Sequence, residues 1–308
     1  MTSAKGSSYD YGLRLYRDLL GLEHLHFGLW APEDPRDLEG FRTAQERYMQ
    51  RLLDRFPEGV RRVLDVGAGT GALSLAARER GYEVEALSPC EHQEKALREK
   101  TNGDLPFHLA RFQDFEPPHR YDLVVCSESA QYVPRHDLFE RAKACLTPDG
   151  HLLVCDYFRL QPERFYRAAH VLQEFDDAAK ESGFRLVEAE DITESVLQTL
   201  EVGRDLYDRF VLPLADIARD WASREKPKTS WLAQRVFGKR LKKFQGYLYE
   251  KTPAKLDVDA FRERVRYRTM LFAAPVGGAR EVRNPAVAGE PAPHGEPSRP
   301  AQPPSVTA

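Results

Sequence analysis

The sequence is short of cysteine. Its four, Cys90, Cys126, Cys145 and Cys155, form no CxxC pair, which argues against a disulfide scaffold or a zinc ribbon. Cys126 and Cys155 sit inside apolar runs, where a thiol behaves as a small hydrophobe, so inert thiols in a reducing cytoplasm are expected. No apolar run approaches the roughly 18 residues of a membrane span. The opening residues, Met-Thr-Ser-Ala-Lys-Gly-Ser-Ser, lack the apolar core of a secretory signal, so we expect a cytoplasmic chain. An excess of one charge is also missing. The 45 basic residues stand against 48 acidic ones, a net −3, and nucleic acid held through a basic surface is therefore not expected. What remains is a chain of 308 residues, 42% hydrophobic and 30% charged, long enough to bury a core without staples.

Along the chain, residues 9–56 carry helical spacing, with Leu13, Tyr16, Leu19 and Leu20 in one stretch and Tyr48, Leu52 and Phe56 in another. Between them, His24-Leu25-His26-Phe27-Gly28-Leu29-Trp30 is too aromatic for a solvated linker. From residue 62 the texture becomes alternation. Strand-like runs at Val63–Val66, Val84–Leu87, Phe107–Ala110, Leu123–Cys126 and Leu152–Cys155 are interleaved with helical segments, including 137–145 and 168–182. Arg185–Val187 and Tyr267–Ala273 read as a sixth and a seventh strand. Such alternation predicts an α/β fold: a doubly wound, seven-stranded, mostly parallel sheet with helices on both faces. Between the last two strands, Val196, Leu200, Tyr207, Phe210, Leu214, Ile217 and Trp221 trace a helical stripe with an expected kink at Pro213, and a basic, aromatic stretch follows at 231–249. We read this insertion as a helical cap over the mouth of the sheet. The expected organisation is a helical lid at 1–58, a core at 59–193, the cap at 194–265, the last strand at 266–276 and a disordered tail at 277–308.

The most informative stretch is Val63-Leu64-Asp65-Val66-Gly67-Ala68-Gly69-Thr70-Gly71-Ala72-Leu73. A strand enters a glycine-dense turn and a helix starts at once, offering unpaired N–H groups and a positive dipole end to an anion. Dinucleotide sites want GxGxxG, whereas the spacing here is GxGxG with Ala72 at the third position. Asp65, just ahead of the turn, suits a ligand ammonium better than a pyrophosphate. An amino-acid-bearing nucleoside meets both demands, with a nicotinamide cofactor as the other ligand class using such a turn.

These residues resemble the first motif of class I S-adenosylmethionine (SAM) methyltransferases, and the resemblance extends over about residues 9–275. It implies a Rossmann-like core with SAM, and its product S-adenosylhomocysteine, held by Asp65, Gly67, Ala68, Gly69, Gly71 and Ser127. Most such enzymes place an acid after the second strand. Here Ser88 stands there with Gln93 five residues on, similar to the branch containing cyclopropane fatty acid synthases and tocopherol methyltransferases, in which that pair binds the ribose. Glu85 is a substitute acid only if its strand turns it toward the ligand. Leu109-Ala110-Arg111-Phe112-Gln113-Asp114-Phe115 looks like the adenine-holding stretch of the same branch. The likeness implies Phe112 stacked on the base and Gln113 on its edge, beside Arg111; a core role for Phe112 is the alternative. Tyr9-Asp10, His26-Phe27-Gly28 and Ala44-Gln45 resemble the branch's closing N-terminal segment. His24 and His26, two histidines without a third spaced ligand, are read as pocket residues rather than as a metal site.

The acceptor belongs outside the carboxyl ends of the strands, after the fourth and fifth. Glu128 is the candidate base or cation stabiliser, with Tyr132 and His26 as further catalytic candidates and His24, Phe27 and Tyr157 as acceptor contacts. A helix-capping or cofactor-positioning role for Glu128 is its bland alternative. Glu128-Ser129-x-x-Tyr132-Val133 looks like a run of the geranyl diphosphate C-methyltransferases. Gln131 replaces the glutamate of the cyclopropane synthases and speaks against cyclopropanation. Arg164, Arg167 and the Lys239–Lys243 cluster are either diphosphate ligands or a solvated face, and magnesium is expected only with a diphosphate acceptor. The expected partner is one small, largely apolar metabolite, methylated on carbon, oxygen or nitrogen. No nucleic acid is expected, and the oligomeric state is left open.

Overall fold

Leu123, Val124, Val125 and Cys126 are all fully buried, although successive strand residues face opposite sides of a sheet. Such a strand must be covered on both faces, and the rest of the fold follows from that requirement. The structure, a computed structural model, describes residues 19–225 and 245–275 together with 238, 239, 242 and 243.

The described elements run α1 (Leu38–Leu53), β1 (Arg62–Val66), α2 (Ala72–Glu79), β2 (Glu83–Ser88), α3 (Glu91–Thr101), β3 (Phe107–Leu109), β4 (Tyr121–Ser127), α4 (Arg135–Cys145) and β5 (Leu146–Arg159). They continue as α5 (Leu172–Glu181), β6 (Arg185–Asp191), α6 (Thr193–Leu206), α7 (Leu212–Glu225), α8 (Thr252–Lys255), α9 (Val258–Arg264) and β7 (Val265–Ala273). The sheet has seven strands in the order β3-β2-β1-β4-β5-β7-β6. Pairings among β1 to β5 are parallel, and β7 runs antiparallel to both β5 and β6. The expected doubly wound, mostly parallel architecture is therefore present. Strand order reverses direction at β1 and β4, so the turns leaving those two strands lie side by side.

One core lies on each face. Leu64, Val124, Phe139, Phe175 and Phe272 belong to the first, beneath α4 and α5. Tyr48, Leu123, Val125, Val196, Phe261 and Tyr267 belong to the second, beneath α1, α6 and α9. Helix α1 starts where Asp37 accepts from the N–H groups of Glu39 and Gly40, both at 3.0 Å, and buries Phe41, Ala44, Tyr48 and Leu52 at helical spacing.

Several expectations need correction. Among the described residues of the expected N-terminal helices, Leu38–Leu53 is helical and Leu19 ends a helical turn; 20–37 run as irregular chain, and 1–18 lie outside the described residues. The tertiary hydrogen bonds given below hold 22–30 in place of a helical ladder. Pro213 stands two residues after a π turn at Tyr207–Val211, inside a helical run that is unbroken from Thr193 to Glu225. The wider turn accommodates the proline's missing N–H. The stripe divides there, with Val196, Leu200 and Tyr207 buried but Phe210, Leu214, Ile217 and Trp221 exposed. Most of 231–244 and all of 277–308 lie outside the described residues.

Segment 22–30 is bound to three neighbours. Thr199 Oγ1, in α6, accepts from Gly28 N–H at 3.0 Å and from the Trp30 indole N–H at 2.8 Å. Gln45, in α1, donates through Nε2 to the carbonyls of His24 and His26 at 3.2 and 2.6 Å. Thr70, in the glycine turn, donates to Glu23 O at 2.6 Å. Replacing Thr199 by valine strands two buried donors at once. We expect Thr199→Val to lose about 2–3 kcal/mol in denaturant unfolding and Thr199→Ser to keep most of it. Equal stability of the valine variant and the wild type would contradict the tether.

Candidate active site

The turn after β1 is shaped by close approach. Gly67, Gly69 and Gly71 all have positive φ, at 76°, 59° and 81°. A Cβ on Gly67 would lie 2.5 Å from the Ser129 Cβ, so the turn after β1 touches the turn after β4 and only glycine fits between them. Ser129 seals the junction by donating to Val66 O at 2.5 Å. Gly67 and Ala68 give their N–H groups to Leu87 O at 2.7 and 3.3 Å. Gly69 and Thr70 make no backbone hydrogen bond of this kind among the described residues, and they stand ahead of the α2 N-terminus. Their amides suit a carboxylate.

Asp65, the second-last residue of β1, leads into this turn. It is buried and accepts from Ser74 Oγ at 2.5 Å, tying the turn to α2, and burial pushes its pKa up to about 6. At the end of β2, Ser88 donates to Gln93 Oε1 at 2.6 Å and accepts from Cys90 N–H at 3.2 Å, so the two side chains singled out from the sequence form one buried unit. Glu85 is no substitute. It accepts from the Tyr121 hydroxyl at 2.7 Å and meets His108 Nε2 at 2.6 Å and His119 Nε2 at 3.1 Å, fully engaged with side chains of β3, β4 and the link between them.

Phe112 departs from expectation. The short 3₁₀ turn Phe112–Asp114 rotates its ring inward, where it joins Leu87, Phe115 and Phe139 and is only 2% exposed. Such burial favours the core role of Phe112 over stacking on a purine. Gln113 is partly buried and Arg111 exposed at the same turn.

Glu128 is the centre of the site. It follows β4 with φ at 49°, a left-handed conformation that costs a non-glycine residue about 1 kcal/mol or more. The surrounding bonds hold it there. Its N–H donates to Cys155 O at 2.8 Å, and its Oε1 accepts from Phe27 N–H and from the Tyr267 hydroxyl, both at 2.6 Å. Burial raises the Glu128 pKa from 4.5 to about 7, against the opposing pull of those two donors. Asp156, at the matching point of β5, is also buried; burial first, and then the nearby Glu128, push its pKa well up. It accepts from the N–H groups of Gln131 and Tyr157 at 3.1 and 2.9 Å.

An aromatic wall surrounds this carboxylate. Phe27 lies 5.5 Å from Tyr267 and 6.1 Å from Tyr157 by ring centres, and Phe261 lies 5.9 Å from Phe27. His26 stacks on Tyr48 at 4.2 Å and meets His24 at 4.9 Å. Burial, and His24 beside it, lower the His26 pKa to about 3; the neutral ring donates from Nδ1 to Phe27 O at 2.7 Å. So weak a base is poorly suited to proton abstraction near neutrality. Ser127 joins the cluster through Tyr48, 3.1 Å away. Tyr132 is 52% exposed and lies close enough to Tyr157 to help raise that phenol's pKa; neither hydrogen bond on Glu128 comes from it. Arg164, Arg167, Lys239, Lys242 and Lys243 are exposed. The sequence reading overlooked Tyr48, Thr70, Thr199 and Tyr267. The available signal for Tyr267 was a phenol inside an apolar strand, since a buried hydroxyl needs a partner.

The sheet order, the glycine turn and the facing carboxylate define a Rossmann-like domain of the class that binds nucleoside-containing ligands at the switch between its first and fourth strands. Residues 41–196 match the family model described as a methyltransferase domain, and the chain belongs to that family. It is 30% identical over 137 residues to an uncharacterized methyltransferase of Staphylococcus carnosus, covering 42% of this chain and 65% of that one. It is 26% identical over 190 residues to a ubiquinone biosynthesis O-methyltransferase of Bordetella avium, covering 60% and 69%. The chain thus spans about two thirds of the length of these curated relatives. The geranyl diphosphate C-methyltransferase of Streptomyces coelicolor, solved with Mg2+, geranyl diphosphate and S-adenosyl-L-homocysteine, superposes with a TM-score of 0.59 at 16% identity, covering 88% of this chain and 99% of that one. At that identity the likeness is one of fold.

The raised pKa of Glu128 has a thermodynamic consequence. The folded protein holds this proton more tightly than the unfolded chain, so the associated stability is full below pH 4.5 and is lost as pH rises through about 7. Asp65 and Asp156 act in the same direction, whereas His26 destabilises as pH falls from 6.5 toward about 3. Glu128→Gln keeps an acceptor for both donors and removes the titration. Unfolding from pH 5 to 8 should show the variant gaining on the wild type by up to about 3 kcal/mol; parallel pH curves would refute this.

Proposed function

We propose that the chain transfers a methyl group from SAM to a small, largely apolar metabolite of natural-product, isoprenoid or lipid-like type, with Glu128 acting at the reacting centre. The observation that carries the proposal is the position of Glu128. It is a half-buried carboxylate on the turn after β4, which touches the glycine turn, and it is bonded to the Phe27 N–H and the Tyr267 hydroxyl. SAM supplies an electrophilic methyl on a sulfonium centre. The protein's tasks are to bind it, to exclude water and to hold the acceptor in line.

The residues fit this ligand at two of its three parts. The Gly69 and Thr70 amides with the α2 N-terminus suit the amino-acid carboxylate, and the Ser88–Gln93 unit offers hydroxyl and amide groups to a ribose. The loop around Arg111 and Gln113 is left to edge the base, without a stacking Phe112. Residues 23–25 lie over the turn, with Thr70 bonded to Glu23 O and Leu25 Cδ1 3.6 Å from a Cβ built on Gly69, so ligand entry requires this segment to lift.

Two uses of Glu128 remain within the proposal. As an anion in an aromatic wall it would steady a cation formed by methylation of an alkene carbon. As a base with a pKa about 7 it would take the proton of a hydroxyl or ammonium acceptor, and that value favours O- or N-methylation near neutral pH. Magnesium belongs to the first use only if the acceptor is a diphosphate. No described helix is long and apolar enough to cross a membrane, and the four cysteines are buried and in no disulfide, which supports cytoplasmic residence as part of the same reading.

Calorimetry should give saturable binding of SAM and S-adenosylhomocysteine in preference to NAD(P). Absence of heat with both sulfur nucleosides would end the proposal. Gly67→Ala, which forces the turn away from Ser129, should weaken that binding at least about tenfold. With any acceptor found by screening extracts for S-adenosylhomocysteine release, Glu128→Gln should abolish turnover while leaving SAM affinity within about twofold. Parallel loss of both would assign Glu128 to the cofactor instead.

A further inference from the structure

The carboxylate of Glu128 is held unevenly. Both of its donors, Phe27 N–H and the Tyr267 hydroxyl, converge on Oε1 at 2.6 Å, and Oε2 accepts no hydrogen bond from the described residues. We propose that Tyr267 is the positioning residue of the site. Its phenol, on the antiparallel last strand, saturates Oε1 together with the Phe27 amide, and so leaves Oε2 as the one oxygen presented to the acceptor. The inference rests on the methyltransferase reading and specifies how the carboxylate is oriented within it.

Tyr267 is built for such a task. Its backbone is fixed by the β5–β7 ladder, where it stands opposite Tyr157. Its N–H donates to Thr193 Oγ1 at 2.9 Å and its carbonyl accepts from Ile192 N–H at 2.9 Å. The ring is fully buried, wedged between Phe27 and Tyr48 at 5.5 and 6.2 Å. Its hydroxyl oxygen also lies 3.2 Å from that of Tyr48, which is 3.1 Å from Ser127 Oγ, so the phenol is steered from both sides. A donor this constrained cannot follow a rotating carboxylate. It selects one rotamer of Glu128 and, with the left-handed backbone at that residue, aims it.

Two donors on one oxygen also stabilise the anion, which bears on when Glu128 is charged. The titratable groups that face it are Tyr48 from α1, Cys155, Asp156 and Tyr157 from β5, and Tyr267 from β7, and His26 of the N-terminal segment stacks on Tyr48 behind them. Of these, Tyr267 alone donates a side-chain hydrogen bond to the carboxylate among the described residues.

The test is Tyr267→Phe in the full chain, with the ionisation of Glu128 followed by carboxyl infrared difference spectra against Glu128→Gln, and S-adenosylhomocysteine affinity followed by calorimetry. We expect the Glu128 titration to move up by about one to two pH units, with nucleoside affinity within about twofold of the wild type. An unmoved titration in a folded variant that still binds the nucleoside overturns the positioning role and leaves the methyltransferase reading intact. Failure of the wild type itself to bind the nucleoside removes that reading. Should Tyr267→Phe not fold, 3,5-difluorotyrosine incorporated at position 267 keeps the ring and strengthens its donation. It should move the Glu128 titration down, and no movement would again overturn the proposal.

Discussion

The constraint on which the site depends is the contact between the turns after β1 and β4. At Gly67 the two chains come so close that no side chain fits between them, and Ser129 closes the gap by bonding to Val66. This contact fixes the glycine turn relative to the start of the Glu128 segment. A ligand on the turn and a reactant at the carboxylate are thereby neighbours by construction. Widening the gap separates the two halves of the chemistry, because the parallel strands beneath are too well packed to follow.

Around that contact the protein closes a hydrogen-bonded ring. Segment 22–30 is bonded to the glycine turn through Thr70, to the β4 end through Phe27 and Glu128, and to α6 through Thr199. The last strand adds Tyr267 from the opposite side. Each bond is ordinary in strength, yet all are at least partly buried, and a buried donor left unpaired costs more than the bond itself contributes. Opening the site to a ligand therefore means breaking several such bonds together, which favours an all-or-none movement of the segment over fraying.

The burial that raises the Glu128 pKa also makes its charged form costly. A carboxylate surrounded by Phe27, Tyr157 and Tyr267 loses most of its hydration, and its pKa near 7 reflects the difference between that loss and the two hydrogen bonds on Oε1. His26, stacked on Tyr48, is driven the other way, to about 3, because burial disfavours the charged form of either group. The two candidate bases are thus separated by their surroundings: near neutrality Glu128 titrates and His26 remains neutral.

The local pattern of the chain was sufficient for the sheet, the glycine turn, the Ser88–Gln93 pair and the position of Glu128, because each is written in a few adjacent residues. Alternation of apolar runs with helical spacing announces a parallel sheet, and a strand ending in clustered glycines announces the turn. What local pattern could not supply is direction. Phe112 reads as a stacking residue, yet its 3₁₀ turn buries the ring in the core. Glu85 reads as a spare ribose acid, yet His108, His119 and Tyr121 claim it. Tyr48, Thr199 and Tyr267 lie in α1, α6 and β7, 79, 171 and 139 positions from residues whose polar atoms they complete. Partners so far apart in the chain meet only when the sheet is assembled. The amino-acid order settled which groups are available; packing decided which of them face one another, since hydrogen bonds and desolvation act over a few ångströms of space rather than along the chain.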